Sequence, residues 1–163
     1  MKAISLWQPW ATALFLRDPG GKRIKPDETR SWPVAYRGPI AIHAAKAVPV
    51  PGMDYSLELD AVLRTLLGKT TADLPRGCIL GYGQVVACDR APKVLARRSR
   101  AQEMWGNYDE RDGNGRLRFA WTIDQMTPLV FPVPWRGQQG LFDVPDSVLT
   151  AARAAERKRW PDE

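Results

Sequence analysis

One long apolar segment carries two glycines in its interior, and this pattern constrains the fold more than any other feature of the sequence. The segment runs from Cys78 to Cys88, and its apolar residues predict a central β-strand. Glycine weakens a straight strand, so Gly81 and Gly83 are typical of a bulge or of a sharp bend in a barrel. The segment therefore favours a small, curved β-barrel over a flat, doubly wound sheet.

The remaining elements are short, and they alternate between strand and helix signals. Strand composition occurs at Lys2–Leu6, Thr29–Trp32, Ile40–His43, Phe119–Ile123, Leu129–Val133 and Leu141–Val144, with a turn predicted at Met126–Pro128. Helices are predicted from Pro9 to about Leu16, from an N-cap at Asp54 to Gly68, near Ser99–Trp105, and from Asp146 to about Trp160. The rest of the segment from Arg90 to Gly115 is predicted to be irregular. The pattern indicates an α+β fold, a small β-barrel with flanking helices.

Length and composition predict one domain that covers residues 1–163. No apolar run approaches the length of a bilayer span, and the N-terminus lacks the order of a signal peptide, so we expect a cytoplasmic protein without membrane contact. The two cysteines, Cys78 and Cys88, are predicted to be small buried thiols. One histidine and two separated cysteines argue against a structural zinc site, and no metal or cofactor is expected. No strand is followed by a glycine-rich phosphate fingerprint, which argues against a nucleotide-hydrolase or dinucleotide-binding fold.

The net charge of +6 favours polyanionic partners. A run of cations without an acidic residue, which includes Arg97, Arg98 and Arg100, predicts contacts to nucleic-acid phosphates. The alternative for such a run is a solvated face.

Aromatic and charged residues are interleaved between Ile4 and Lys46, where a core alone would not require charge. Trp7, Trp10 and Trp32 are candidates for stacking on bases, with core packing as the alternative. Further candidate RNA contacts in this segment are Tyr36, Arg37, His43 and Lys46. Because His43 is the only histidine, a two-histidine ribonuclease is excluded, and a packed, hydrogen-bonded histidine is the alternative role.

A candidate acid–base set consists of Lys22 or Lys25 together with Glu28 and Arg30. Glu28 is suited to act as a general base, and the cations are suited to stabilise developing negative charge. The alternative is a set of surface ion pairs that contributes little. Gln138 and Gln139, between two glycines, are suited to contact base edges.

Six segments together resemble the ASCH domain family. They are Ile4–Ala11, Glu28–Trp32, Tyr36–Pro39, His43–Lys46, Pro75–Gly77 and Gly137–Phe142. The resemblance implies a PUA-like β-barrel and a ligand that is RNA or a modified nucleoside. It also implies two possible activities, those of a ribonuclease or of an amidohydrolase that removes the acetyl group of N4-acetylcytidine with a lysine, a threonine and a glutamate.

The chain departs from the Gly-x-Lys-x-x-Glu-x-Arg signature of that family. Gly20–Lys22 supplies the first half and Lys25–Arg30 the second, as a three-residue insertion in the loop would produce. The family's lysine is therefore either Lys22, the slightly preferred alignment, or Lys25. If Lys25 aligns, Glu28 occupies the position of the threonine, and Thr29 is its neighbour.

These observations lead to three functional hypotheses. The first is an RNA-binding or nucleoside-binding protein whose ligand lies in a basic, aromatic-lined cleft. The second is a hydrolase that acts on RNA or on N4-acetylcytidine. The third is a protein-interaction adaptor.

Overall fold

Six strands form one mixed sheet in a computed structural model that describes residues 1–48 and 57–159, without the side chains of residues 153 and 155–159. The strands are β1 (Lys2–Leu6), β2 (Asp27–Arg30), β3 (Gly38–Ala44), β4 (Cys78–Arg90), β5 (Phe119–Pro134) and β6 (Leu141–Asp143). Their order is β2-β5-β4-β3-β1-β6. Only β1 and β3 are parallel, and the other neighbours are antiparallel. The predicted α+β class is confirmed.

The helices are short apart from two. They are α1 (Trp10–Ala13), α2 (Leu57–Leu67), α3 (Ala91–Leu95), α4 (Arg100–Glu103) and α5 (Asp146–Arg159), with a 3₁₀ turn at Thr71–Asp73. The first helix is shorter than predicted, and α3 was not predicted, because Pro92 at its first turn lies in a segment without helical periodicity. The predicted N-cap at Asp54 lies outside the described residues. Within the described residues no helix is long and apolar enough to span a bilayer.

Strand β4 bends at the positions that the glycines predict. Its register against β5 shifts between Ile79 and Gly81 and again between Tyr82 and Gln84. A Cβ atom at Gly81 would overlap the Thr127 carbonyl oxygen and the ring of Phe15. The glycine therefore lets two strands and the Phe15 side chain approach closely, and the predicted bulge is confirmed.

Strand β5 is one continuous element where the sequence predicts two strands and a turn, so that prediction was wrong. The residues of the expected turn stay paired with β4, since Thr127 lies opposite Tyr82 and Pro128 opposite Gly81. Gln125 adopts a positive φ of 50°. The polar and proline residues thus mark an irregularity within the strand, and the bulge in β4 accommodates it.

Both faces of the sheet are covered, so the strands alternate between two apolar clusters. Ile4 and Leu6 of β1 face a cluster that includes Leu14, Ile42 and Trp121, whereas Ala3 faces a cluster that includes Ile79, Phe142 and Leu149 of α5. A third cluster packs α2 against α1 and Trp105. Both cysteines are free thiols; Cys78 is buried as predicted, but Cys88 is only half-buried. The ends of β1 and β2 emerge beside α1, where the candidate site lies.

Candidate functional site

Strand β2 is an edge strand of four residues whose side chains alternate between two environments. Glu28 and Arg30 form an ion pair, so they lie on one face. Asp27 and Thr29 contact the segment 98–118 and lie on the opposite face. One short strand therefore places Glu28 and Arg30 on one face and binds the segment 98–118 on the other.

Glu28 is nearly buried and lies between two cations. Its Oε2 is 3.0 Å from the Lys25 Nζ, and its Oε1 is 2.9 Å from the Arg30 Nε. The Arg30 Nε–H is not aligned on that oxygen, so this contact is an ion pair without a hydrogen bond. A second nitrogen of the Arg30 guanidinium donates to the Ser5 carbonyl at 2.8 Å, which ties β2 to β1.

Lys25 is only 2% exposed, and the protein binds its ammonium group on three sides. Besides its contact with Glu28, the Nζ donates to the carbonyls of Asp27, at 2.7 Å, and of Trp105, at 3.1 Å. A buried ammonium requires such partners, because the loss of its hydration is costly. Lys25 is therefore held rigidly beside Glu28.

Lys22 lies elsewhere, at the tip of a small hairpin. Arg17 and Arg23 pair across this hairpin, and the Lys22 amide donates to the Asp18 carboxylate at 2.8 Å. The Lys22 side chain is exposed, and it borders a separate depression beside α2. The structure thus brings Lys25 to Glu28 and leaves Lys22 apart.

Three tryptophans line one cavity of about 590 Å³ together with Glu28 and Arg30. We call it the tryptophan cavity. Trp7 is 38% exposed, while Trp10 and Trp32 are half-buried, and the Trp32 ring meets the edge of buried Trp121. Around the opening lie Arg116, Gln138 and Gln139. An adjoining depression shares Trp7, Trp10, Glu28 and Thr29, and it adds Lys25, Asn107 and Arg118.

The opposite face of β2 holds a buried network around Asp27. Arg98 donates to both carboxylate oxygens, at 2.6 and 2.8 Å, and Thr122 and Tyr108 add bonds of 2.8 and 2.9 Å. Burial would raise the pKa of Asp27, but the hydrogen bonds from Arg98, Thr122 and Tyr108 outweigh it and hold that pKa below its usual value. In turn, the carboxylate raises the pKa of Arg98.

The three arginines of the cationic run lie in different environments. Arg98 points inward to Asp27, and Arg97 lies 3.6 Å from the Asp89 carboxylate. Arg100 is exposed at the start of α4. None of the three borders the tryptophan cavity. Asp27, the partner of Arg98, is distant in sequence, and Asp89, the partner of Arg97, lies just before the run, so the run itself contains no acid.

Thr29 is engaged on the face away from Glu28. Its Oγ1 accepts hydrogen bonds from the Asn107 amide at 3.0 Å and from the Arg118 guanidinium at 3.3 Å. Arg118 also donates to the Asn107 carbonyl at 3.0 Å. These contacts fasten the loop after α4 to the edge of the sheet and engage the hydroxyl of Thr29.

His43 is 2% exposed and bonded on both ring nitrogens. Its Nε2 lies 3.0 Å from the Trp135 carbonyl, which only accepts, so Nε2 carries the proton and Nδ1 accepts from the Ser5 hydroxyl at 3.0 Å. Burial lowers the pKa of His43, although the bond to Trp135 acts in the opposite direction. The backbone at Gly137 covers the ring, because a Cβ there would overlap it. The packed alternative describes this histidine better than contact with a ligand.

Tyr36 and Arg37 lie in the irregular segment before β3 and do not border the cavity. The Tyr36 hydroxyl donates to the Pro39 carbonyl at 2.7 Å, and Arg37 donates to the carbonyls of Val34 and Tyr36. Lys46 is exposed beyond the end of β3, close to Trp135.

Sequence reasoning missed three residues that the loop after α4 brings to the two depressions, Arg116, Arg118 and Asn107. Arg116 and Arg118 alternate just before β5, which is the one signal that could have found them, since alternation places both on one side of an extended segment. Asn107 carries no comparable signal. Among residues 1–48 and 57–159, no three His, Cys, Asp or Glu side chains come together as metal ligands would.

Solved structures with this architecture include two from Zymomonas mobilis. The ASCH protein of that organism has a TM-score of 0.51 and 15% identity, and the match covers 94% of this chain and 93% of that chain. A mutant of the same protein, called ZmASCH, has a TM-score of 0.53 and 16% identity, covering 94% and 96%. No family model and no curated protein sequence matches the chain. The chain therefore has the ASCH-domain fold, a PUA-like α+β architecture, as the sequence resemblance implied.

Proposed function

We propose that the tryptophan cavity binds RNA or a modified nucleoside. The observation that carries this proposal is the position of Glu28, a nearly buried carboxylate fixed by Lys25 and Arg30 inside a cavity walled by three indoles. Flat aromatic walls with a polar floor suit a ligand that is planar and carries hydrogen-bonding edges. A nucleobase has both properties.

The three tryptophans supply surfaces on which a base can stack, and Glu28 supplies discrimination between bases. Stacking of a base on an aromatic side chain contributes about 1–3 kcal/mol, and every base offers a face for it. A fixed carboxylate accepts a hydrogen bond from an exocyclic amino group, as an acidic side chain does from the amino group of cytosine. Each Glu28 oxygen lies beside a cation, which fixes the direction in which the carboxylate faces.

The cations give the cavity an overall positive charge. Arg30 and Arg116 line the tryptophan cavity with Glu28, and Lys25 and Arg118 line the adjoining depression. This balance supports a ligand with phosphate groups, whose binding weakens as salt rises because counterions are released on association.

The test is a titration of fluorescein-labelled single-stranded RNA followed by anisotropy at low and raised salt. Trp7→Ala is expected to weaken binding by about tenfold, as the loss of one stacking face would. Phe131→Ala removes a comparably exposed aromatic on β5 outside the cavity and is expected to leave affinity unchanged. Absence of binding at low salt, or equal losses in both variants, would reject the proposal.

A hydrolytic activity is the second candidate, and the Lys25–Glu28–Arg30 arrangement favours it. Glu28 faces the cavity as a general base would, and the adjacent cations are placed to stabilise a developing anion. Two features argue against the N4-acetylcytidine amidohydrolase form. Glu28 itself lies three residues after Lys25, where the threonine would be, and the Thr29 hydroxyl is engaged on the other face of β2.

The hydrolase is tested with labelled RNA and, separately, with N4-acetylcytidine. Turnover that disappears in Glu28→Gln while RNA affinity is retained would support it. Turnover that persists in that variant, or unchanged substrates, would leave binding as the function. The adaptor hypothesis stays a prediction, and a partner recovered after RNase treatment would support it.

A further inference from the structure

A second depression adjoins the tryptophan cavity across the loop that follows β5. It has a volume of about 730 Å³, and its walls include Lys46, Trp135 and Arg136, with His43 beneath. We call it the Trp135 groove. Ser5, Ala45, Gln138 and Gln139 border both depressions. A ligand longer than one nucleotide could therefore extend from one to the other past the two glutamines.

The Trp135 groove differs from the tryptophan cavity in its charge. No Asp or Glu borders it. Lys46 and Arg136 are both exposed, and over residues 1–48 and 57–159 neither takes part in an ion pair. In the tryptophan cavity, by contrast, Arg30 is already paired with Glu28. The groove therefore offers an incoming phosphate two cations with no acid at its border, whereas the tryptophan cavity offers Arg116 beside the carboxylate of Glu28.

The groove also carries the parts of a base-binding subsite. The half-buried Trp135 is held through its carbonyl by His43, so its position is fixed. Gly137 lets the loop pack directly on Ser5 and His43, and this packing places Gln138 and Gln139 at the border of the two depressions. Each glutamine amide offers both donors and an acceptor.

We propose that the Trp135 groove holds the nucleotide adjacent to the one in the tryptophan cavity, so that the preferred ligand is a single-stranded RNA chain and not a free nucleoside. This inference rests on the proposed function. Lys46 and Arg136 contact the phosphates of that chain, and a free nucleoside, which has none, leaves both cations unused.

The experiment compares nucleosides with the matching tetranucleotides by isothermal titration calorimetry, using cytidine, uridine and adenosine. The test variant is Lys46→Ala with Arg136→Ala. Its matched control is Arg64→Ala with Lys69→Ala, which removes the same charge from exposed positions on and just after α2. Trp7→Ala reports on the tryptophan cavity itself.

We expect at least one tetranucleotide to bind more tightly than its nucleoside. The test variant should lose about tenfold in tetranucleotide affinity and reduce the salt slope by about 1.4, because each phosphate contact on a single strand contributes about 0.7. Nucleoside affinity should stay the same, and the control variant should bind both ligands as the unmodified protein does.

Other outcomes separate the two proposals. If nucleosides bind and Trp7→Ala abolishes that binding, but tetranucleotides bind no more tightly, the Trp135 groove is not a subsite and the proposed function stands. The groove is also rejected if the tetranucleotide keeps its advantage in the test variant, or loses it equally in the control. If neither ligand class binds, the proposed function fails, and this inference fails with it.

Discussion

Lys25 shows how one side chain can be both a structural anchor and part of the proposed site. Its ammonium group contacts Glu28 and two carbonyls, those of Asp27 and Trp105. All three contacts are internal, so the position of the Glu28 carboxylate depends on a residue that hardly meets solvent. The lysine of the candidate acid–base set therefore fixes the geometry of the cavity before any ligand arrives.

The first prediction concerns this anchor. Lys25→Met keeps the length of the side chain but leaves Glu28 with only Arg30 and two buried carbonyls without their donor, so the free energy of unfolding should fall by about 3 kcal/mol. Lys22→Met alters an exposed cation and should change it by less than about 0.5 kcal/mol. Urea denaturation measures both. Equal effects would mean that the two lysines have been assigned to the wrong positions.

The second prediction concerns the buried carboxylate of Asp27. Asp27→Asn leaves the Arg98 guanidinium without its charge partner, and stability at neutral pH should fall by about 3 kcal/mol. Because the pKa of Asp27 is lowered in the folded protein, this contribution is present above about pH 4 and is lost as the pH falls through the folded pKa. The difference from the unmodified protein should therefore shrink in acid. The matched control, Asp143→Asn on the exposed end of β6, should have little effect at any pH.

Among the elements, the paired irregularities of β4 and β5 shape the sheet. Gly81 lies opposite Pro128 and packs on the ring of Phe15, which follows α1. The third prediction is that Gly81→Ala lowers stability by about 2 kcal/mol, since the new methyl group would overlap a backbone oxygen that cannot move without breaking the strand pairing. Gly113→Ala, in a loop where a Cβ meets nothing, should be nearly neutral. Thermal unfolding distinguishes the two, and similar melting temperatures would contradict the argument.

The sequence predicted local elements well and distant partners poorly. Strand β1 and the bulge at Gly81 follow from periodicity and from glycine placement, both of which are local properties. The role of Arg98 was not predictable, because its partner Asp27 precedes it by 71 residues and the run around it contains no acid. The split of β5 into two strands was wrong for a related reason: proline and polar residues indicate a turn unless a neighbouring strand can bulge to keep the pairing.

In the candidate site, too, the residues that are close in sequence could be predicted and the distant ones could not. Lys25, Glu28 and Arg30 lie within one short segment, and the structure brings them together. Arg116 and Arg118 reach the cavity only because the loop after α4 folds back along β2. The alternation of Arg116 and Arg118 places both on one side of the segment but does not say which strand they approach, so their contribution to the site becomes visible only in three dimensions.

For the whole molecule, the buried groups His43 and Asp27 predict a stability profile with two acid steps. Burial lowers the pKa of His43, so below about pH 6.5 the unfolded chain binds a proton that the folded protein does not. Stability should therefore fall as the pH decreases from about 6.5 to the folded pKa of His43, and then level off. A second fall begins near pH 4, where Asp27 and other carboxylates with lowered pKa values become protonated.

The chain contains one histidine, so the upper step can be assigned to a single residue. His43→Gln keeps a side chain that can bond to Ser5 and to the Trp135 carbonyl but does not titrate, and it should remove the upper step while leaving the lower one. Urea unfolding across the pH range measures both steps, and the imidazole resonance gives the folded pKa directly. An upper step that survives in His43→Gln, or a histidine that titrates above about pH 6.5, would show that the floor of the Trp135 groove is not the packed, neutral imidazole described above.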